Sequence, residues 1–223
     1  MQATYDRIAA HFAKTREYAW PEVESFLEGR SAVRALDVGC GNGRHTELLA
    51  ARADAAVGVD VSRELLREAV ARAAERGFDA AFVHGDAASL PVSEDAVGLA
   101  TYVATIHHLP SREARVRSLD ELARVLAPGG VALVSAWSTA HDRFVEAAPA
   151  GADAEDGFDT TVDWTLPGGE TVPRFYHIYA PAEFEADVAA SGLELASMEL
   201  SSGNCYAVVT PSADGDAARD DEE

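Results

Sequence analysis

Three glycines at alternate positions, Gly39, Gly41 and Gly43, are preceded by an aspartate two residues before the first, Asp37. The apolar run Val33 to Val38 leading into them reads as a buried parallel strand, and His45 to Ala50 after them as the start of a helix. Glycine lets a backbone turn sharply and meet a ligand with no Cβ in the way. The helix start behind the turn presents unbonded N–H groups to polar or anionic ligand atoms. Position 44 is Arg, so the third glycine of a dinucleotide fingerprint is missing. The Asp37 carboxylate would repel a pyrophosphate and attract an ammonium. This favours a cofactor with an amino-acid end and no phosphate, S-adenosylmethionine, and the plain alternative is a βα turn with no ligand.

Two more acids close neighbouring strands. Asp60 ends the segment Ala55 to Val59, where a carboxylate can hold a ribose diol. Asp60-Val61-Ser62 also opens a helix, so Asp60 has a second reading as a cap, although Ser62 is the better one. Asp86, between Gly85 and Ala87, follows the strand Ala80 to His84 and can accept from an adenine amine. Val97 to Val103 forms a fourth strand, and Ile106-His107-His108-Leu109-Pro110 follows it. Ligands in open parallel sheets sit beyond the strand C-termini, which aims this loop at the cofactor. The bland account of His107 and His108 is one packed and one solvated. No other ligand spacing supports a metal.

The elements that position these groups alternate strand and helix from Ser31 onward. Before them, Thr4 to Gly29 reads as two helices, with Tyr5, Ile8, Ala9 and Phe12 at helical spacing and Pro21 opening the second. Arg7, Arg16 and Trp20 interrupt an otherwise acidic segment. Later come a helix from Arg112 to Ala127, a tight turn at Pro128-Gly129-Gly130 and a strand from Val131 to Ala136. Residues 138–180 read as an irregular aromatic insertion. A helix from Ala182 to Ser191 and strands Leu193 to Leu200 and Cys205 to Thr210 complete the chain. The expected organisation is a single domain over 1–210, a helical extension over 1–30 and an acidic disordered tail over 211–223.

Composition bounds the setting. The chain has 223 residues, enough for one substantial core, and 48% of them are hydrophobic. No apolar run is long enough to span a bilayer, and the polar start offers no signal peptide. Cys40 and Cys205 have no disulfide or metal spacing, so a reducing cytoplasm is expected. The net charge is −20, with 18 basic residues of which only Lys14 is lysine. That balance suits a cytosol of very high salt, where charge keeps a protein soluble, or simply a substrate other than nucleic acid.

Asp37-x-Gly39-x-Gly41-x-Gly43, Asp60, Gly85-Asp86-Ala87 and Leu126-Ala127-Pro128-Gly129-Gly130 together resemble a class I S-adenosylmethionine-dependent methyltransferase over roughly residues 31–137. Tyr5-Asp6-x-Ile8-Ala9-x-His11-Phe12-x-x-Thr15-Arg16-x-x-x-Trp20-Pro21 is similar to the N-terminus of the wobble-uridine tRNA methyltransferases, which esterify 5-carboxymethyluridine. Ile106 to Leu109, Val134 to Trp137 and Arg174 to His177 also look like that family, whereas Thr161 to Trp164 match loosely.

The resemblance implies an α/β Rossmann-like fold, a mostly parallel seven-stranded sheet with helices on both faces. It implies cofactor contacts from Asp37, Gly39, Cys40, Gly41, Gly43, Asp60, Val61, Asp86 and Ala87. It implies tRNA as substrate, with Arg16, Arg7 or Arg174 and His107 at the reacting group and Trp20, His108, Trp137 and Tyr176 around the nucleotide. It also implies a small zinc-ribbon-type activator along the sheet edge at 80–84, an edge that solvent or a second copy would otherwise cover. The alternatives are a small-molecule O- or N-methyltransferase and a non-catalytic cofactor-binding subunit. The missing glycine argues against a nicotinamide dehydrogenase, and the absence of Asn-Pro-Pro-Tyr after the fourth strand against adenine N6 methylation.

Overall fold

The computed structural model describes residues 1–144 and 156–213. Its centre is a sheet built from β1 (Ala32–Val38), β2 (Ala53–Asp60), β3 (Ala81–His84), β4 (Val97–Val103), β5 (Leu126–Trp137), β8 (Leu193–Ser201) and β9 (Asn204–Pro211). The order is β3-β2-β1-β4-β5-β9-β8. The first five strands are parallel, and β9 runs antiparallel to both its neighbours. Chain order reverses between β1 and β4, so the C-terminal ends of those two strands open a crevice where a ligand can sit.

Successive residues of the central strands point to opposite faces, and both faces are covered. Leu36 and Ala100 face a core with Leu119 and Leu122 of α5 (Arg112–Val125) and Phe184 of α6 (Pro181–Ala189). Ala35 and Leu99 face Val23 and Phe26 of α2 (Pro21–Leu27) and Leu49 of α3 (Arg44–Ala50). Burial on both sides explains why these strands read as continuous apolar runs. The helix starts follow their signals. Ser62 accepts from the Leu65 amide at 3.2 Å to open α4 (Arg63–Arg76), and Pro21 and Pro181 sit in first turns. α1 (Gln2–Thr15) packs Tyr5, Ile8 and Ala9 against Leu65.

Three features differ from the sequence reading. Residues 138–180 are partly regular: β6 (Phe158–Thr165) and β7 (Thr171–Ile178) form an antiparallel hairpin. Phe158, Val162 and Trp164 alternate inward along β6, and Pro167-Gly168-Gly169 makes the turn. Second, α5 stops at Val125, and Pro128-Gly129-Gly130 lies within β5 as an irregularity where Val97 pairs with Leu126 and Leu99 with Val131. Gly129 has a φ of 77°, which spares a side chain the left-handed cost. Third, His107 and His108 are both buried. The tail expected over 211–223 lies outside the described residues from 214 onward. Among the described residues, no helix is long and apolar enough to cross a membrane.

Candidate active site

The crevice beyond β1 and β4 deepens into a cleft of about 1170 Å³, its open mouth included. One wall is the glycine-rich turn. Gly39, Gly41 and Gly43 have φ values of 70°, 56° and 77°. A Cβ on Gly39 would overlap the side chain of Thr105, which crosses from the loop after β4. Asp60 holds this wall together. One of its oxygens accepts from the Gly41 amide at 2.8 Å and the other from the Ser62 amide at 2.7 Å. Burial raises its pKa to about 6, against the two amides, and the charges of Asp37 and Asp6 add to the rise. Cys40, Val61, Asp86 and Ala87 also face the cleft. Asp86 is exposed and accepts from the Ala88 amide at 2.9 Å.

Asp37 stands behind this wall. It is buried, and its two oxygens accept from the hydroxyls of Thr46 at 2.6 Å and Thr101 at 2.9 Å. Burial raises its pKa. Gly43 likewise lies below the surface, where a Cβ would press on Ala69 and Phe82 at 3.2–3.3 Å. These two residues shape the loop from beneath.

The opposite wall comes from α1, the loop after β4 and the hairpin. His108 Nδ1 faces the Phe175 carbonyl at 2.9 Å, so it carries the ring proton. Nε2 is therefore bare and accepts from the Tyr5 hydroxyl at 2.7 Å. Burial drives the His108 pKa down to about 3, which keeps this order fixed. The Arg174 guanidinium and the Tyr176 ring are close to Tyr5, and burial, against the pull of Arg174, raises the Tyr5 pKa well above its ordinary value. His107 is neutral for the same reasons. The Trp137 amide donates to its Nδ1 at 3.0 Å, its remaining proton faces the Ala104 carbonyl, and burial pushes its pKa far down. The rings of Trp137 and Tyr176 stack at 4.6 Å and 12°.

Two arginines share one indole here. Arg174 Cζ lies 4.8 Å from the Trp164 ring and Arg16 Cζ 5.2 Å. Arg174 is 6% exposed, yet its Nε has no hydrogen-bond partner and no carboxylate bridges it among the described residues. Burial and then the Arg174 charge lower the Arg16 pKa. A third guanidinium, Arg44, lies 5.1 Å over the Trp20 ring, its pKa lowered to about 10 by burial and by Arg16. In a chain of net charge −20, the cleft gathers Arg16, Arg44 and Arg174, none of which forms an ion pair among the described residues.

The sequence-predicted residues thus divide. Gly39, Cys40, Gly41, Asp60, Val61, Asp86 and Ala87 meet Arg16, Trp20, His107, His108, Trp137, Arg174 and Tyr176 around one space. Arg7 does not join them: it is exposed and pairs with Glu170 at the hairpin turn. Other lining residues were missed, Tyr5, Phe12, Asn42, Arg44 and Thr105 among them. Tyr5 and Phe12 looked like core spacing, Asn42 and Arg44 like filler in the glycine motif. The signal for Arg44 was present, since it is a cation directly after the loop.

A model of the methyltransferase domain matches residues 35–130. A putative methyltransferase of Encephalitozoon cuniculi is 33% identical over 179 residues, which are 78% of this chain and 78% of that protein. The chain is a class I S-adenosylmethionine-dependent methyltransferase. This methyltransferase is also 36% identical over 135 residues to the tRNA (carboxymethyluridine(34)-5-O)-methyltransferase of Arabidopsis thaliana. The match covers 60% of the methyltransferase described here and 31% of that longer relative. Among solved structures, a putative methyltransferase of Haloferax volcanii in complex with the Trm112 methyltransferase activator has the same fold, at a TM-score of 0.68 and 16% identity, covering 95% of this chain and 97% of that one.

Proposed function

We propose that this methyltransferase esterifies the carboxylate of 5-carboxymethyluridine at the wobble position of tRNA. The observation that carries the reading is Arg174, a buried guanidinium lining the cleft, whose Nε has no hydrogen-bond partner and which forms no ion pair among the described residues. Burying a charge without a partner is costly, and an anionic acceptor would offset that cost. The similarity to tRNA carboxymethyluridine methyltransferases supports the same acceptor.

The cofactor wall suits S-adenosylmethionine. At Gly39 the absent side chain makes room for Thr105, whereas the Cβ position of Gly41 meets only the Phe12 ring at 3.5 Å, so a ligand can lie against the backbone there. We assign Asp60 to the ribose hydroxyls, Asp86 and Ala87 to the adenine edge, and Cys40, Gly41 and Val61 to contact along the nucleoside. Asp37 acts from behind through its field, because it is buried behind the wall, bonded to Thr46 and Thr101, and does not line the cleft as Asp60 does. When bound, the cofactor supplies an electrophilic methyl on a sulfonium.

The chain's own residues then orient and enclose. A carboxylate titrates near roughly 4, so it is ionised at neutral pH and needs no general base. His107 suits this chemistry, since both its nitrogens are engaged and it stays neutral. Arg174 and Arg16 steer the acceptor oxygen toward the methyl, while Trp20, Trp137 and Tyr176 exclude water and flank the base. An over-tight bidentate grip would favour the charged ground state over a transition state losing charge. The Arg174 guanidinium lies over the rings of Trp164 and Tyr176, which fixes its plane and limits that grip. Mass spectrometry of nucleosides from tRNA incubated with enzyme and labelled cofactor tests the proposal. The labelled methyl ester is expected; label only on small acids, with none on RNA, overturns it.

We further assign the free edge of β3 to a small zinc-ribbon-type activator protein. Ala81 and His84 are exposed there, and Val70 on α4 is 55% exposed. Such an edge is a template for strand addition. Phe82 is not the handle: its ring sits 2.9 Å from where a Gly58 Cβ would be, so Phe82→Asp would damage the sheet itself. Co-expression with the activator is expected to raise soluble yield and turnover. A monomeric enzyme, fully active when purified alone, overturns the assignment.

A further inference from the structure

α1 touches both walls of the cleft through polar contacts. Asn42 of the glycine-rich turn is buried, and its side-chain amide donates to the carbonyls of Arg16 at 2.9 Å and Ala13 at 3.4 Å. These belong to the C-terminal end of α1, where helix carbonyls lack intrahelical donors. Arg16 is the residue that ends the helix, with φ −124° and ψ 56°, so no further turn holds its backbone. Nearer the start of α1, Asp6 accepts from the Ser62 hydroxyl at 2.7 Å and the Glu64 amide at 3.2 Å, directly after Asp60. On the other wall, Tyr5 donates to His108, and the Trp164 indole donates to His11 Nδ1 at 3.0 Å.

We infer that Asn42 is a positioning residue: by holding the Arg16 carbonyl, it ties the place of Arg16 to the conformation of the glycine-rich turn. Cofactor and acceptor then bind with positive coupling through α1. Three glycines leave the turn conformationally permissive, and a ligand lying on it narrows that freedom. Asn42 passes the restriction to the end of α1, and α1 passes it to Arg16. By linkage the acceptor strengthens cofactor binding by the same factor. The inference rests on Arg16 being an acceptor contact.

Hydrogen exchange on the full chain, with and without S-adenosylhomocysteine, tests it. Saturating ligand is expected to slow exchange of the amides at 12–16 by about tenfold in the wild-type protein, a typical size for coupled sites. Asn42→Ala is expected to bind the ligand and lose that added protection. Asn42→Asp keeps the size and removes the donors, so it is expected to behave like Asn42→Ala and replaces it if the alanine variant does not fold. Undiminished protection in either variant overturns the inference. So does loss of ligand binding, which would place the amide on the cofactor itself. In turnover, both variants are expected to raise the KM for carboxymethyluridine tRNA about tenfold while kcat stays within about threefold. If wild-type enzyme does not accept that tRNA, the acceptor reading fails, and the exchange result still decides whether the turn and α1 are coupled.

Discussion

Asp60 shows how one side chain can set the pH range of a binding site. Its pKa is raised by burial to about 6. Raised above its unfolded value, it holds back stability above that pH and returns it as the pH falls toward 4. Binding runs the other way, because ribose hydroxyls favour the ionised oxygens. Affinity for S-adenosylhomocysteine is expected to climb as pH rises through about 6 and to level off above it, as calorimetry at several pH values will read. Asp60→Ala is expected to lose about 1–3 kcal/mol of that affinity, the worth of hydrogen bonds to a charged group. His107→Asn makes the opposite kind of prediction. The amide oxygen can take over from Nδ1 as acceptor for the Trp137 N–H, so most turnover should remain, with no inflection near pH 6.5 in the rate profile. Gly39→Ala forces a side chain into a φ of 70° and into Thr105; denaturant melting is expected to show a loss of about 2–4 kcal/mol. Residue types at strand ends made Asp60, Asp86 and the glycines legible in the sequence. Asn42 was not legible, because its partners are backbone carbonyls 26 and 29 positions away.

At the scale of elements, the alternation of strand and helix from β1 to β5 was legible in the sequence, while the mostly parallel seven-stranded sheet followed from the family resemblance and is what the structure has. The hairpin was missed because its alternation is broken by polar residues and flanked by turn residues. What fixes it is another set of long-range contacts. His177 on β7 lies between Asp159 at 2.8 Å and Glu183 of α6 at 2.9 Å. Glu183 also accepts from the Gly157 amide at 2.9 Å and meets Arg115 at 3.3 Å. Burial alone would raise the Glu183 pKa, but His177, Gly157 and Arg115 together lower it. A depressed carboxylate gives stability that is complete above its unfolded pKa and is lost as pH falls through its folded one. Glu183→Gln is expected to cost about 1–3 kcal/mol at pH 7 and to flatten the acid limb of the stability curve, as urea midpoints between pH 3 and 7 would show. Because Arg174 and Tyr176 ride on β7, the same variant is expected to raise the acceptor KM.

At the scale of the whole molecule, a net charge of −20 must coexist with binding an RNA polyanion. The cleft offers three arginines, Arg16, Arg44 and Arg174. Even if all three met phosphates, log affinity would fall against log salt with a slope no steeper than about −3. Titrations from moderate to molar salt are expected to return such a shallow slope, with stacking and hydrogen bonds supplying the rest. A slope of −5 or steeper would mean that a basic surface elsewhere carries the RNA. The contacts of α1 also have a consequence in time. His11 and Trp164 lie 153 positions apart, and the ribosome adds roughly 5–20 residues per second. About 8–30 s therefore separate the synthesis of His11 from that of Trp164. During that interval Tyr5 and Ile8 can lean only on Leu65, the emerging sheet and, once it is made, His108, and the hairpin side of the cleft cannot exist. The first helix made must therefore wait for the hairpin before its packing is complete.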